Sequence, residues 1–156
     1  VYSLQNSGST YLQIFDPSDD SLTYLNVGVG GFLNTALGAD GKIYGIQYNG
    51  TTAIRIDTDT LSFETFTVTS HSSSQGQSYL LPNGKIYFYS RNRSNALILD
   101  TELETVETIT GALSGSVAIH PNGKLYRIPY NGAVTEVAYS FDIDNNFSMS
   151  RFINKP

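Results

Sequence analysis

Few residues in this chain have the type and spacing to do chemistry, and each of them has a structural alternative. His71 and His120 are the only imidazoles, and there is no cysteine. A zinc site needs three or four converging ligands, which two dispersed histidines cannot supply. Without cysteine, thiol catalysis, disulfides and thiolate metal sites are excluded. Asp57-Thr58-Asp59 and Asp142-Ile143-Asp144-Asn145-Asn146 carry the alternating oxygens of a calcium loop. That pattern also requires glycine at the sixth place and a distal glutamate, and Phe147 occupies the sixth place here. The same residue types suit a strand-to-strand turn, where Asp, Asn and Ser bond the local backbone. The Asn-Gly and Asp-Gly pairs lack the flanking pattern and following helix of a phosphate loop. No nucleophile elbow accompanies the many serines. The sequence therefore assigns no catalytic residue, no metal ligand and no cofactor.

What remains is recognition by a surface, and its residues emerge only once the chain is aligned on itself. Asn83-Gly84-Lys85-Ile86-Tyr87 recurs as Asp40-Gly41-Lys42-Ile43-Tyr44 and as Asn122-Gly123-Lys124-Leu125-Tyr126, and Val1-Tyr2-Ser3-Leu4 matches Ile43-Tyr44-Gly45-Ile46. A period near 40 residues is the mark of a repeat architecture. An aspartate follows in every copy, at Asp16, Asp57, Asp100 and Asp142, each preceded by a large apolar residue: Phe15, Ile56, Leu99 and Phe141. On this alignment Asn6, Tyr48, Arg91 and Tyr130 form one column in the loops after the second strands, flanked by Ser7, Asn49, Asn92, Arg93 and Asn131. Tyrosine and arginine dominate binding hot spots. Asn6, Tyr48, Asn49, Arg91, Arg93, Tyr130 and Asn131 are the candidate partner-binding residues, although Tyr48 and Tyr130 could equally pack between repeats.

Each repeat reads as four short strands. The runs are rich in Tyr, Phe, Val, Ile and Thr, and no sustained 3.6-residue apolar period calls for a helix. Asn-Gly between two such runs predicts a tight hairpin in which both central residues take positive φ. Glu64, Glu102, Glu104 and Glu107 fall on outer strands or their turns and read as solvated charges that discourage pairing between sheets. The repeats span about 1–27, 31–68, 76–109 and 115–152, within a single domain over 1–156.

Four antiparallel strands per repeat describe a β-propeller blade. The order of apolar strand, Pro-Asn-Gly-Lys, Ile/Leu-Tyr, Asn-Gly loop and apolar strand ending in Asp resembles the YVTN-type propeller repeats, which grade into NHL and kelch-like propellers. The resemblance covers the whole chain and implies an all-β propeller of three full blades and a three-stranded partial one. Such propellers serve as scaffolds, adhesins and occasionally enzymes, so the resemblance implies fold more than function. Three full blades and a partial one do not close a ring as written. The chain is expected to be the C-terminal part of a larger propeller, with a ring completed by a second copy and a compact four-bladed ring as alternatives. The strand Val1 to Leu4 lacks its hairpin partner, and its free edge should be covered by an upstream segment, another subunit or a larger assembly.

Composition narrows the partners. Fourteen acidic residues against nine basic ones give a net charge of −5, which argues against nucleic acid and gives no reason to expect an anionic membrane surface. The uncharged run 21–39 contains Gly28, Gly30, Gly31 and Gly38, so it reads as a glycine-rich loop feeding a strand, not a membrane span. The expectation is a non-enzymatic interaction or structural module that binds a protein or glycan through its loop face. The composition would suit an adhesin, envelope or virion-surface component. The alternative is a propeller enzyme of lyase or lactonase type, acting in a central channel.

Overall fold

The computed structural model describes residues 2–4, 9–48, 50–68, 77–88, 95–110, 115–120, 124–129, 138–142 and 148–152. The chain forms β1 (Tyr2–Leu4), β2 (Tyr11–Asp16), β3 (Ser21–Asn26), β4 (Phe32–Leu37), β5 (Ile43–Gln47), β6 (Thr52–Ile56) and β7 (Phe63–Thr67). It continues with β8 (Ser78–Leu80), β9 (Ile86–Phe88), β10 (Asn95–Asp100), β11 (Thr105–Thr110), β12 (Gly115–Ile119), β13 (Lys124–Pro129), β14 (Ala138–Asp142) and β15 (Ser148–Phe152). These strands make four sheets, each an antiparallel meander in sequence order: β1 to β3, β4 to β7, β8 to β11 and β12 to β15. Within the uncharged run 21–39, β3 ends at Asn26 and the glycine-bearing stretch 27–31 leads into β4, which begins at Phe32 with a register irregularity before Thr35.

The repeat tyrosines occupy equivalent places. Tyr2 pairs with Ile14, Tyr44 with Arg55, Tyr87 with Ile98 and Tyr126 with Ser140, in each case across the second and third strands of one repeat. Tyr44 and Tyr87 are buried, and Tyr126 is half-buried. Period-2 alternation sends the two faces of each sheet in opposite directions. Tyr44, Ile46 and Ala53 of the second sheet pack against Ile86, Phe88, Leu97 and Leu99 of the third. Tyr87, Ala96 and Ile98 on the other face of the third sheet pack toward Leu125 of the fourth. Leu4 and Leu12 of the first sheet pack against Phe32, Ile43, Ile54 and Ile56 of the second. The core is therefore a series of joints between neighbouring sheets, and each fully buried aliphatic or aromatic side chain contributes about 1.5–3 kcal/mol there.

Gly45 fits the joint between the first and second sheets because it lacks a side chain. A Cβ there would lie 2.9 Å from Leu4 Cδ1 and 3.2 Å from Phe32 Cδ1. The inner strands β4 and β8 are joined directly by a hydrogen bond of 2.6 Å that the Ser78 hydroxyl donates to the Thr35 carbonyl.

The Gly-Lys turns are not the two-residue hairpins expected from Asn-Gly. Leu81 N–H donates to Lys85 O and Gly84 N–H to Leu81 O, at 2.8 and 3.0 Å, and Gly84 has φ 81° while Asn83 does not take positive φ. The loop has three residues: a type I turn with Pro82 at its second position, closed by a left-handed glycine. Gly38 to Lys42 repeats it, with Gly41 at φ 78°. In the third-sheet copy Pro82 favours this choice, since its fixed φ near −65° suits the second place of a type I turn.

Candidate functional site

The meander puts the Gly-Lys turns and the turns between third and fourth strands at one end of the sheets. The loops after the second strands lie at the other end. Of the sequence-derived candidates at that other end, Tyr48 is described. It is exposed, and its N–H donates to Gly31 O at 2.7 Å. Asn6, Asn49, Arg91, Arg93, Tyr130 and Asn131 lie outside the described residues.

At the turn end the repeat aspartates have a structural occupation. Asp16 Oδ1 accepts the Ser18 N–H and hydroxyl at 2.9 and 2.7 Å. Asp57 Oδ1 accepts the amides of Asp59 and Thr60 at 3.1 and 2.9 Å, and Asp100 Oδ1 those of Glu102 and Leu103 at 3.1 and 3.0 Å. Within Asp57-Thr58-Asp59, Asp57 Oδ1 thus serves its own turn, and the Thr58 hydroxyl donates to Gly41 O at 3.3 Å. The second calcium-like run, Asp142 to Asn146, falls largely outside the described residues. Four residues after each of these aspartates stands a non-glycine residue at positive φ: Asp20 at 57°, Leu61 at 56° and Glu104 at 53°. Lys85 Nζ, from the Gly-Lys turn, lies 2.9 Å from Asp100 Oδ2, and Lys124 and Asp142 are paired in the same register. The motif lysine and the motif aspartate are therefore cross-strand partners, which accounts for their joint recurrence.

Between the second and third sheets this end opens into a cleft of about 410 Å³, lined by Asp40, Tyr44, Arg55, Lys85, Asp100 and Glu102 among others. The buried Tyr44 hydroxyl donates to Asp40 Oδ2 at 2.9 Å. Arg55 bonds Glu64 of its own sheet, reaches the Tyr44 oxygen, and its Nη1 lies 3.0 Å from Glu104 Oε1 in the neighbouring sheet. Glu64 is the exposed edge charge expected and Glu104 is half-buried, and both also pair with Arg55, which lies within reach of each. Glu102 and Glu107 are exposed. Arg55 escaped the sequence reading. Its signal was present: the position holds Ile14, Ile98 and Ser140 in the other repeats, so a cation there is an exception within its own column.

The electrostatics follow from these contacts. Burial first, and then the Asp40 carboxylate that accepts its hydrogen bond, push the Tyr44 phenol up to about 12. Such a phenol stays protonated near neutrality and is neither base nor nucleophile. The Leu103 amide, followed by Lys85, holds the Asp100 carboxyl below its ordinary value, and the Arg55 guanidinium does the same for Glu64. Among the described residues no three acidic or imidazole side chains converge to hold a metal ion, and no helix is long and apolar enough to cross a membrane.

No family model and no curated protein matches the sequence. Solved structures share the fold. A catalytically inactive virginiamycin B lyase from Staphylococcus aureus, crystallised with quinupristin, superposes with a TM-score of 0.70 at 12% identity, over 95% of this chain and 50% of that one. Hydrazine synthase of Kuenenia stuttgartiensis gives 0.67 at 15% identity, over 92% and 43%. An auxiliary nutrient binding protein from Bacteroides ovatus gives 0.63 at 14%, over 99% and 39%. This chain therefore spans half or less of the length of each. The neighbours are propeller-like proteins, and at these identities the likeness shows the fold alone: all-β, with antiparallel blade-like sheets.

Proposed function

We propose that the chain is a non-enzymatic propeller-type binding module of the YVTN-like kind, which takes a glycan or protein ligand on the loop end of its sheets. The observation that carries this reading is the fate of the repeat's ionisable groups at the turn end. Asp16, Asp57 and Asp100 are engaged by turn amides and Lys85 by Asp100, and the non-recurring Arg55 beside them is held by two glutamates. The recurring charges support the blade, and recognition is left to the variable loops that carry Tyr48, Arg91 and Tyr130. Structural neighbours of both kinds exist, one described as a nutrient-binding protein and one as a lyase, so the fold is compatible with binding without catalysis.

The test is a glycan array probed with the purified chain, followed by titration of the strongest hit and mass analysis of the recovered ligand. Binding that is weakened at least tenfold by Tyr48→Ala or by paired Arg91→Ala and Arg93→Ala, with the ligand recovered unchanged, is the expected result. Ligand converted to a new mass would replace the proposal with the propeller-enzyme reading.

A further inference from the structure

Tyr44 stands in a setting that the other repeats do not share. The residue whose N–H closes the Gly-Lys turn is Gly38 in the second sheet, Leu81 in the third and His120 in the fourth. Before the turn glycine the second sheet has Asp40, where the other copies have Asn83 and Asn122. Across from the tyrosine stands Arg55, where the other sheets pair Ile14, Ile98 and Ser140. These three departures converge on one buried hydroxyl. It donates to Asp40 Oδ2 at 2.9 Å, and Arg55 reaches its oxygen. Gly38 makes the room: a Cβ there would lie 2.7 Å from both Asp40 Oδ1 and Tyr44 Cε2. Departures from a local rule that support one another point to function, because the third sheet forms its blade without them.

The group faces the cleft of about 410 Å³ between the second and third sheets, a volume within the roughly 300–1,000 Å³ of small-molecule sites. Asp40, Tyr44 and Arg55 form one wall, and Lys85, Asp100 and Glu102 the other. Lys85 Nζ is held by Asp100 Oδ2 at 2.9 Å, and Arg55 by Glu64 and Glu104. A guanidinium and an ammonium have more N–H donors than these bonds use, and the Asp40 and Glu102 carboxylates have further lone pairs. Donors and acceptors therefore stand side by side across the cleft. An anion would face Asp40, Asp100 and Glu102. An amine only donates, and would leave the Arg55 and Lys85 N–H groups without acceptors. A hydroxyl both donates and accepts, so a neutral polyhydroxy compound answers both kinds of group.

We propose that this cleft is a second ligand site, which takes a neutral pyranose unit between Asp40 and Arg55 on one wall and Lys85 and Glu102 on the other. It lies at the opposite end of the sheets from the loop of Tyr48, so it does not depend on recognition there.

Saturation-transfer NMR on the 156-residue chain tests the site, with the methyl glycosides of glucose, galactose and mannose as probes. Putrescine and inorganic phosphate serve as charged comparisons. The expected result is transfer to the ring protons of at least one glycoside and to neither charged compound. Arg55→Ile installs the residue of Ile14 and Ile98 and should fold with an unchanged far-ultraviolet spectrum. Glu102→Ala changes an exposed side chain. Each should weaken the glycoside by about tenfold or more, as the loss of a hydrogen bond to a charged group requires. No transfer to any glycoside, or stronger transfer to putrescine or phosphate, would overturn the proposal. So would glycoside binding that is indifferent to both substitutions. If such binding were instead removed by Tyr48→Ala, the loop-end reading would stand and the cleft site would fall.

Discussion

Arg55 Nη1 lies 3.0 Å from Glu104 Oε1, so a side chain of β6 in the second sheet is tied to the turn between β10 and β11 in the third. The same guanidinium supports the buried Tyr44 oxygen. Truncating Arg55 to alanine removes two ion pairs and its support of the Tyr44 oxygen, which keeps its bond to Asp40, and should cost about 1–2 kcal/mol. Truncating Glu104 removes only a partly exposed ion pair, worth less than about 1 kcal/mol. Urea denaturation should show a clearly lower midpoint for Arg55→Ala than for Glu104→Ala, with similar slopes.

Stability should fall at both ends of the pH scale for different reasons. Asp16, Asp57, Asp100 and Glu64 all have lowered pKa values in the fold. Their contribution is present above the unfolded carboxylate value of about 4 and is lost as pH falls through the lower folded values. Asp100→Asn, which keeps an acceptor for the turn amides, should flatten this acid limb in melting temperature against pH. Tyr44 behaves oppositely: its folded pKa is raised from 10.0 to about 12, so its contribution is complete below the unfolded value and lost as pH rises through the folded one. That alkaline limb is on the order of 2 kcal/mol, and Tyr44→Phe should abolish it.

Two turn substitutions should move stability in opposite directions. Gly84 sits at φ 81°, and an added Cβ there would have nothing within 4 Å. Gly84→Ala therefore meets open space and a purely conformational cost of about 1–2 kcal/mol. Leu61 already bears that cost at φ 56°. Leu61→Gly should raise stability, by about 0.5–1 kcal/mol after the loss of some apolar contact. Thermal melts of the two variants beside the parent chain give the sign directly.

Tyr87 is buried in the joint between third and fourth sheets. Tyr87→Ala should destabilise by about 3–5 kcal/mol, the range for large-to-small changes of buried rings. Tyr48→Ala, on an exposed turn, should stay within about 0.5 kcal/mol. A denaturation series that found these two equal would contradict the burial of the repeat tyrosines in the joints.

The sequence alone determined the strands, their grouping into four repeats, the tyrosine column and the recurring aspartate. All of these rest on interactions within about 40 residues: period-2 patterning, side-chain capping of turns, and cross-strand pairing as between Lys85 and Asp100. It misjudged the Asn-Gly turn, since the choice between two- and three-residue loops depends on where the flanking strands pair, and Pro82 is part of that choice. It did not reveal the role of Arg55, whose partner Glu104 lies in a different sheet. Only tertiary structure decided which face of each sheet became a joint, and hence that Ile56 and Leu99 are buried while Phe15, in the same column, stands open. Strand patterning fixes which residues share a face, but the burial of that face depends on whether another sheet lies against it.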